Sequence, residues 1–263
     1  MRGWWRDLDR ILRGEATKLS SLRRGTIEIP AGGITFVLIL LSMFYGACMG
    51  SFSLLKESGP ETQQLVASTV KVPALFVMTL LVTFPSLYVF NALVGSRLQI
   101  GAALKLLVAS LAVMISVLAS LGPIVAFFSA STTTYSFMIL INVVVFGLSG
   151  VLGLIFLLRT LHRLSLVVPD PETEATEFVG EEKGHEGESG SKGALEPITD
   201  KVLGRHVKTI FRCWVLLFGI VGAQMSWVLR PFIGNPARPF TWFRGRDSNF
   251  FEAVWGAIAS LFT

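Results

Sequence analysis

Five stretches of the chain are apolar on every face, at about residues 33–55, 72–94, 103–128, 135–158 and 211–229. Each is close to the roughly 20 residues that carry a helix across a bilayer's hydrocarbon core. None shows the alternation of a membrane β-strand or the one-sided stripe of a water-facing helix. The pattern predicts an all-α integral membrane protein with five transmembrane helices. The first run begins some thirty residues into the chain and is too long for the apolar core of a cleavable signal.

The segments between and beyond these runs divide the chain further. Residues 1–32 are expected to carry a cytoplasmic amphipathic helix, over 4–24. Trp4, Leu8, Ile11, Leu12, Leu19 and Leu22 gather on one helical face, with Arg6, Arg10, Arg13 and Arg24 away from it and Glu15 interrupting the stripe. Residues 33–158 form a four-helix transmembrane bundle. Residues 159–210 form an acidic flexible linker, because 170–200 is rich in Glu, Gly, Ser and Pro and has little to bury. The fifth span, 211–229, leads to an aromatic-rich tail, 230–263. There Pro231, Pro236 and Pro239 break the chain, and Ser248 or Asn249 is placed to cap a last amphipathic helix through Phe262. That helix is too short for a span and is expected to lie in the interface.

Composition agrees with the membrane reading. Only 16% of the 263 residues are charged and 52% are hydrophobic, with a mean hydropathy of +0.62. A water-soluble globule carries roughly a quarter charged residues, so this chain cannot cover a surface facing water all round. The net charge of +5 conceals an asymmetry. Seventeen of the 23 Lys and Arg lie before the first span, around Arg97 and Lys105, or in 159–212; six lie in the alternate loops and the tail. Basic loops stay on the cytoplasmic side, which predicts a cytoplasmic N-terminus and a C-terminus across the membrane. No basic face with interleaved aromatics on a soluble domain speaks for nucleic acid.

The chemistry-bearing residues are few. Cys48 and Cys213 lie in apolar runs without CxxC spacing, and His162, His185 and His206 make no ligand pattern. No metal or cofactor is expected, and no catalytic motif is present in the sequence. The spans hold no Asp, Glu, Lys or His at their centres, which argues against proton-coupled transport. Their small residues predict close helix packing: Gly46 and Gly50; Ala112, Ser116 and Ser120; Gly147, Gly150 and Gly153; Gly219 and Ala223. Tyr88, Asn91, Asn142 and Gln224 are polar at depth. They form a candidate intramembrane cluster, either lining a ligand pocket or pinning helices together by hydrogen bonds. Arg230, Trp4, Trp5, Arg6 and Arg10 are candidate contacts for lipid phosphates or for a protein partner.

The segment "KVPALFVMTLLVTFPSLYVFNALVGSRLQIGAALKLLVAS" (71–110), followed by Gly122-Pro123, resembles the core of the Yip1-like five-span membrane proteins. The ending "FGIVGAQMSWVLRPFIGNPARPFTWFRGRDSNFF" (218–251) is similar to that of a group of uncharacterised bacterial membrane proteins with the same layout. The resemblance implies five spans, a cytoplasmic N-terminus and, from the second group, a bacterial inner membrane. The long acidic insert and the aromatic tail depart from the Yip1-like pattern, so no partner site or catalytic residue is carried over.

Three functions compete. The first is a non-catalytic multi-pass membrane protein acting as a scaffold, assembly factor or accessory subunit, with the lipid bilayer and a membrane protein partner or a second copy as its contacts. The second is a transporter or channel for a small neutral solute. The third, a lipid-modifying enzyme, would draw on Arg230, Asp247 and Glu252.

Overall fold

The computed structural model describes residues 2–14, 31–55, 60–93, 100–164, 200–235, 238–245 and 248–262. Among the described residues, seven α-helices follow in order: α1 (Arg2–Leu12), α2 (Ala31–Gly50), α3 (Thr62–Leu93), α4 (Ile100–Ser131), α5 (Tyr135–Leu164), α6 (Asp200–Val228) and α7 (Phe250–Phe262), with a 3₁₀ turn at Ser51–Leu54 after α2. The described residues contain no strand. Among the described residues, four segments are long and apolar enough to cross a membrane: Gly32–Leu54, Thr62–Ser86, Leu104–Ser131 and Tyr135–Thr160.

Two boundaries differ from the sequence reading. The second apolar segment starts at Thr62 rather than 72, because Gln64, Ser68 and Lys71 stay within the helix, where their side chains bond the tail. The acidic linker expected over 159–210 is shortened from both ends, since α5 runs to Leu164 and α6 starts at Asp200. Its centre, 165–199, lies outside the described residues, as does the second half of the N-terminal helix expected over 4–24.

Helices α2 to α5 form the bundle, with α2 packed on α3 and α4, and α4 packed on α5. Its centre is aromatic. Tyr45 meets Phe146 edge-on at 5.3 Å between centroids, and Phe146 stacks with Phe76 at 6.2 Å. Lipid supplies no hydrophobic force between helices, so close backbone approach must supply the attraction. Gly46 and Gly50 provide it: a Cβ at Gly46 would lie 2.6 Å from the Ser68 carbonyl oxygen, and one at Gly50 3.1 Å from the Leu65 Cα. Gly153 does the same for α4 and α5, 3.0 Å from the Ser110 carbonyl oxygen.

Helix α6 runs antiparallel to α3. The Trp214 indole donates to the Ser86 hydroxyl at 3.0 Å, Gly222 faces Thr79, and beyond α6 the Phe232 carbonyl meets Gln64. Contacts that rise along α6 therefore descend α3. Helix α1 packs where α2 begins, burying Leu8 and Ile11, with Trp4 edge-on to Phe36. The tail packs at the other end, where α3 and α5 begin. Asn249 caps α7, taking the Glu252 amide at 2.9 Å while the Glu252 carboxylate accepts from the Asn249 amide at 3.4 Å. The Ser260 and Ser136 hydroxyls, 2.7 Å apart, tie α7 to α5.

Candidate functional site

The densest polar structure lies where the tail meets α3. The described residues between 229 and 249 have no regular secondary structure, so their carbonyls need partners wherever they pack against a helix. Helix α3 supplies donors from positions i, i+4 and i+7, which share one face. The Gln64 amide nitrogen donates to the carbonyls of Phe232 at 2.9 Å and Pro231 at 3.2 Å. The Ser68 hydroxyl also meets the Phe232 carbonyl. Lys71, only 4% exposed, donates to the Pro231 carbonyl at 3.3 Å and, more closely, to that of Trp242. Its ammonium also lies 4.9 Å from the Phe243 ring centroid. A buried ammonium is costly unless it is surrounded by such acceptors. The acceptors around the Gln64 nitrogen fix the amide's orientation, leaving Oε1 buried without a donor.

A second set of contacts closes the loop from α6. The Arg230 guanidinium stacks on Trp227, 3.5 Å from the ring centroid, and donates to the Gly245 carbonyl. The Trp227 indole donates to the Ser248 carbonyl. The charges of Arg244, Arg230 and Arg238 all act on Tyr135 at the start of α5. In the tail and on α7, Trp242, Phe243, Phe251 and Trp255 are exposed.

The polar residues singled out at depth divide. Asn142 is buried and accepts the Tyr45 hydroxyl at 2.8 Å, while its own amide nitrogen donates to the Met138 carbonyl at 2.8 Å. Gln224 is half-buried on α6. Tyr88 and Asn91 fall on α3, with side chains outside what the structure describes. Arg230 serves the tail, as above. On α1, Trp5, Arg6 and Arg10 are exposed, and Trp4 partly so. Ser116 has a buried hydroxyl without a partner, and Gly147 and Gly219 face open space.

Sequence reading missed the Gln64, Ser68 and Lys71 stripe because it placed these residues outside the span. Their i, i+4, i+7 spacing was the available signal. Among the described residues no three His, Cys, Asp or Glu side chains come together. The chain matches no family model, no curated protein and no solved structure.

Proposed function

We propose that this is a non-catalytic membrane protein acting as a scaffold, assembly factor or accessory subunit of a larger membrane complex. The observation that carries this reading is how several of its buried polar side chains are used. Tyr45 with Asn142, Trp214 with Ser86, and Lys71, Gln64 and Ser68 with the tail all bind this chain's own groups. Polarity spent on internal bonds specifies one bundle geometry, which a platform for a partner requires.

The proposed topology has five spans, with the N-terminus cytoplasmic and the tail across the membrane. The antiparallel register of α6 along α3, from Ser86 to Gln64, supports the fifth span, and the packing of α1 and the tail at opposite ends supports an odd number of crossings. The seventeen-to-six distribution of basic residues supports the orientation. Helices α1 and α7 are proposed to lie in the two interfaces, where the exposed Trp5 and Trp255 suit the headgroup level.

Mild solubilisation followed by mass spectrometry of the intact particle tests the function. The expected result is a particle of fixed stoichiometry holding a second membrane protein or a second copy. A monodisperse single chain that catalyses solute flux in vesicles would replace this reading with the transporter.

A further inference from the structure

We propose that the exposed side of α1 binds the phosphate headgroups of anionic phospholipids, in the leaflet where α2 begins, with Arg6 and Arg10 as the contacting cations. The inference rests on the proposed interfacial position of α1 and adds which lipid the helix selects. It holds for either orientation of the chain. Helix α1 is docked firmly: Leu8 and Ile11 are buried where it packs on α2 and α4. Trp4 lies over Gly33, where a Cβ would come within 2.5 Å of the Trp4 ring. Gly33 is the second residue of the spanning segment Gly32–Leu54, so α1 is held at the end of that span.

The buried side fixes where the other faces of the helix point. About a quarter-turn round from it stand Trp5 and Leu12, 50% and 46% exposed. On the side away from the bundle stand Arg6, Arg10 and Arg13, all exposed. A helix docked by one side, apolar on the next and cationic beyond has the faces of one lying flat in a leaflet. Its apolar flank then meets acyl chains and its arginines reach headgroups. The apolar surface also continues along α2. Trp4 meets Phe36 edge-on at 5.6 Å, and Phe36, Leu40 and Phe44, each one turn from the next, form an exposed ridge on the span. Trp4, itself partly exposed, joins the flank of α1 to that ridge.

Charge selects the lipid. Arg13 pairs with Asp9 at 2.9 Å, which neutralises the acid nearest the apolar flank. Arg6 and Arg10, one turn apart, form no ion pair among the described residues. A guanidinium matches two phosphate oxygens in one plane, and two such groups side by side at headgroup level complement a phosphate whose charge is not already balanced. A zwitterionic headgroup brings its own ammonium to the phosphate; an anionic one does not. The pair therefore favours the anionic lipid.

The test uses the full chain in phosphatidylcholine nanodiscs carrying a small fraction of brominated phosphatidylglycerol or of brominated phosphatidylcholine, whose bromines quench nearby tryptophan. The difference in emission between the wild type and W5F isolates Trp5. Brominated phosphatidylglycerol is expected to be enriched beside Trp5 over brominated phosphatidylcholine, by about five-fold for each arginine. R6Q/R10Q should bring the two lipids level, whereas R6K/R10K, which keeps the charge, should retain the preference. Both positions are exposed, so the unfolding temperature in phosphatidylcholine alone should not change in either variant. Equal quenching by the two lipids in the wild type overturns the proposal while leaving α1 in the interface. Absence of quenching by either lipid overturns the interfacial position itself. A preference that survives R6Q/R10Q overturns the proposal by placing selection on other basic residues. Loss of the preference to inorganic phosphate at the lipid's concentration would assign the arginines to a free anion. Co-purification of an acidic protein with the wild type but not with R6Q/R10Q would assign them to a protein partner, and either result overturns the lipid site.

Discussion

Tyr45 on α2 donates its hydroxyl to the side-chain oxygen of Asn142 on α5, 97 residues further along the chain and 2.8 Å away. The bond crosses the centre of the bundle beside the rings of Phe76 and Phe146, and it joins two helices that otherwise meet mainly through α3 and α4. Breaking one side strands a polar group where no water competes. Asn142→Leu should therefore destabilise the protein by about 1–3 kcal/mol, whereas Tyr45→Phe combined with Asn142→Leu should recover most of that loss. Reversible unfolding in mixed micelles of both single variants and the double variant measures the coupling. Additive losses would show that the bond contributes nothing of its own.

Helix contact through glycine makes a sharper contrast. A methyl group at Gly46 would sit 2.6 Å from a backbone oxygen of α3, and backbone cannot swing aside as a side chain does. Gly46→Ala is expected to cost about 1–3 kcal/mol through overpacking. Gly147 has nothing within 4 Å of the same position, so Gly147→Ala should be neutral or stabilise by up to about 1 kcal/mol through helix propensity. The same unfolding assay reads both.

The tail latch is testable by proteolysis. Lys71→Met keeps the apolar stem and removes the donor to Pro231 and Trp242, leaving carbonyls exposed to loss of about 1–3 kcal/mol of tail docking. Arg230 and Arg238 precede prolines, so Arg244 and Arg246 are the tail positions open to trypsin. Faster release of the fragment beginning at Gly245, with the bundle's unfolding little changed, is the expected result. An unaltered cleavage rate would assign the latch to Gln64, Ser68 and Arg230.

Orientation has its own experiment. With Cys48 and Cys213 replaced, a single cysteine placed within 180–192 should be shielded from an impermeant thiol reagent in intact cells, and one at 244–248 should be labelled. Labelling of the first and not the second would reverse the orientation; labelling of both would remove the fifth span.

The helices and their apolar lengths were legible in the sequence, because a spanning helix must satisfy its own backbone and present hydrocarbon on all sides, and both demands are local. A cap at Ser248 or Asn249 was legible for the same reason, and Asn249 takes the role. What a face meets is not local. Gly46, Gly147 and Gly219 look alike as small residues in apolar runs, yet only Gly46 touches another backbone. Asn142 was recognised as polar at depth, but its partner Tyr45 was one of many residues along the chain that would serve. Lys71 read as the last residue before a span, and only the returning tail makes it part of one. Sequence by itself predicted an all-helical membrane chain with five spans, and four segments among the described residues are long and apolar enough to cross a membrane. Tertiary structure decided which small residues became contacts and which polar groups found partners, since both depend on distances between segments that the order of residues does not contain.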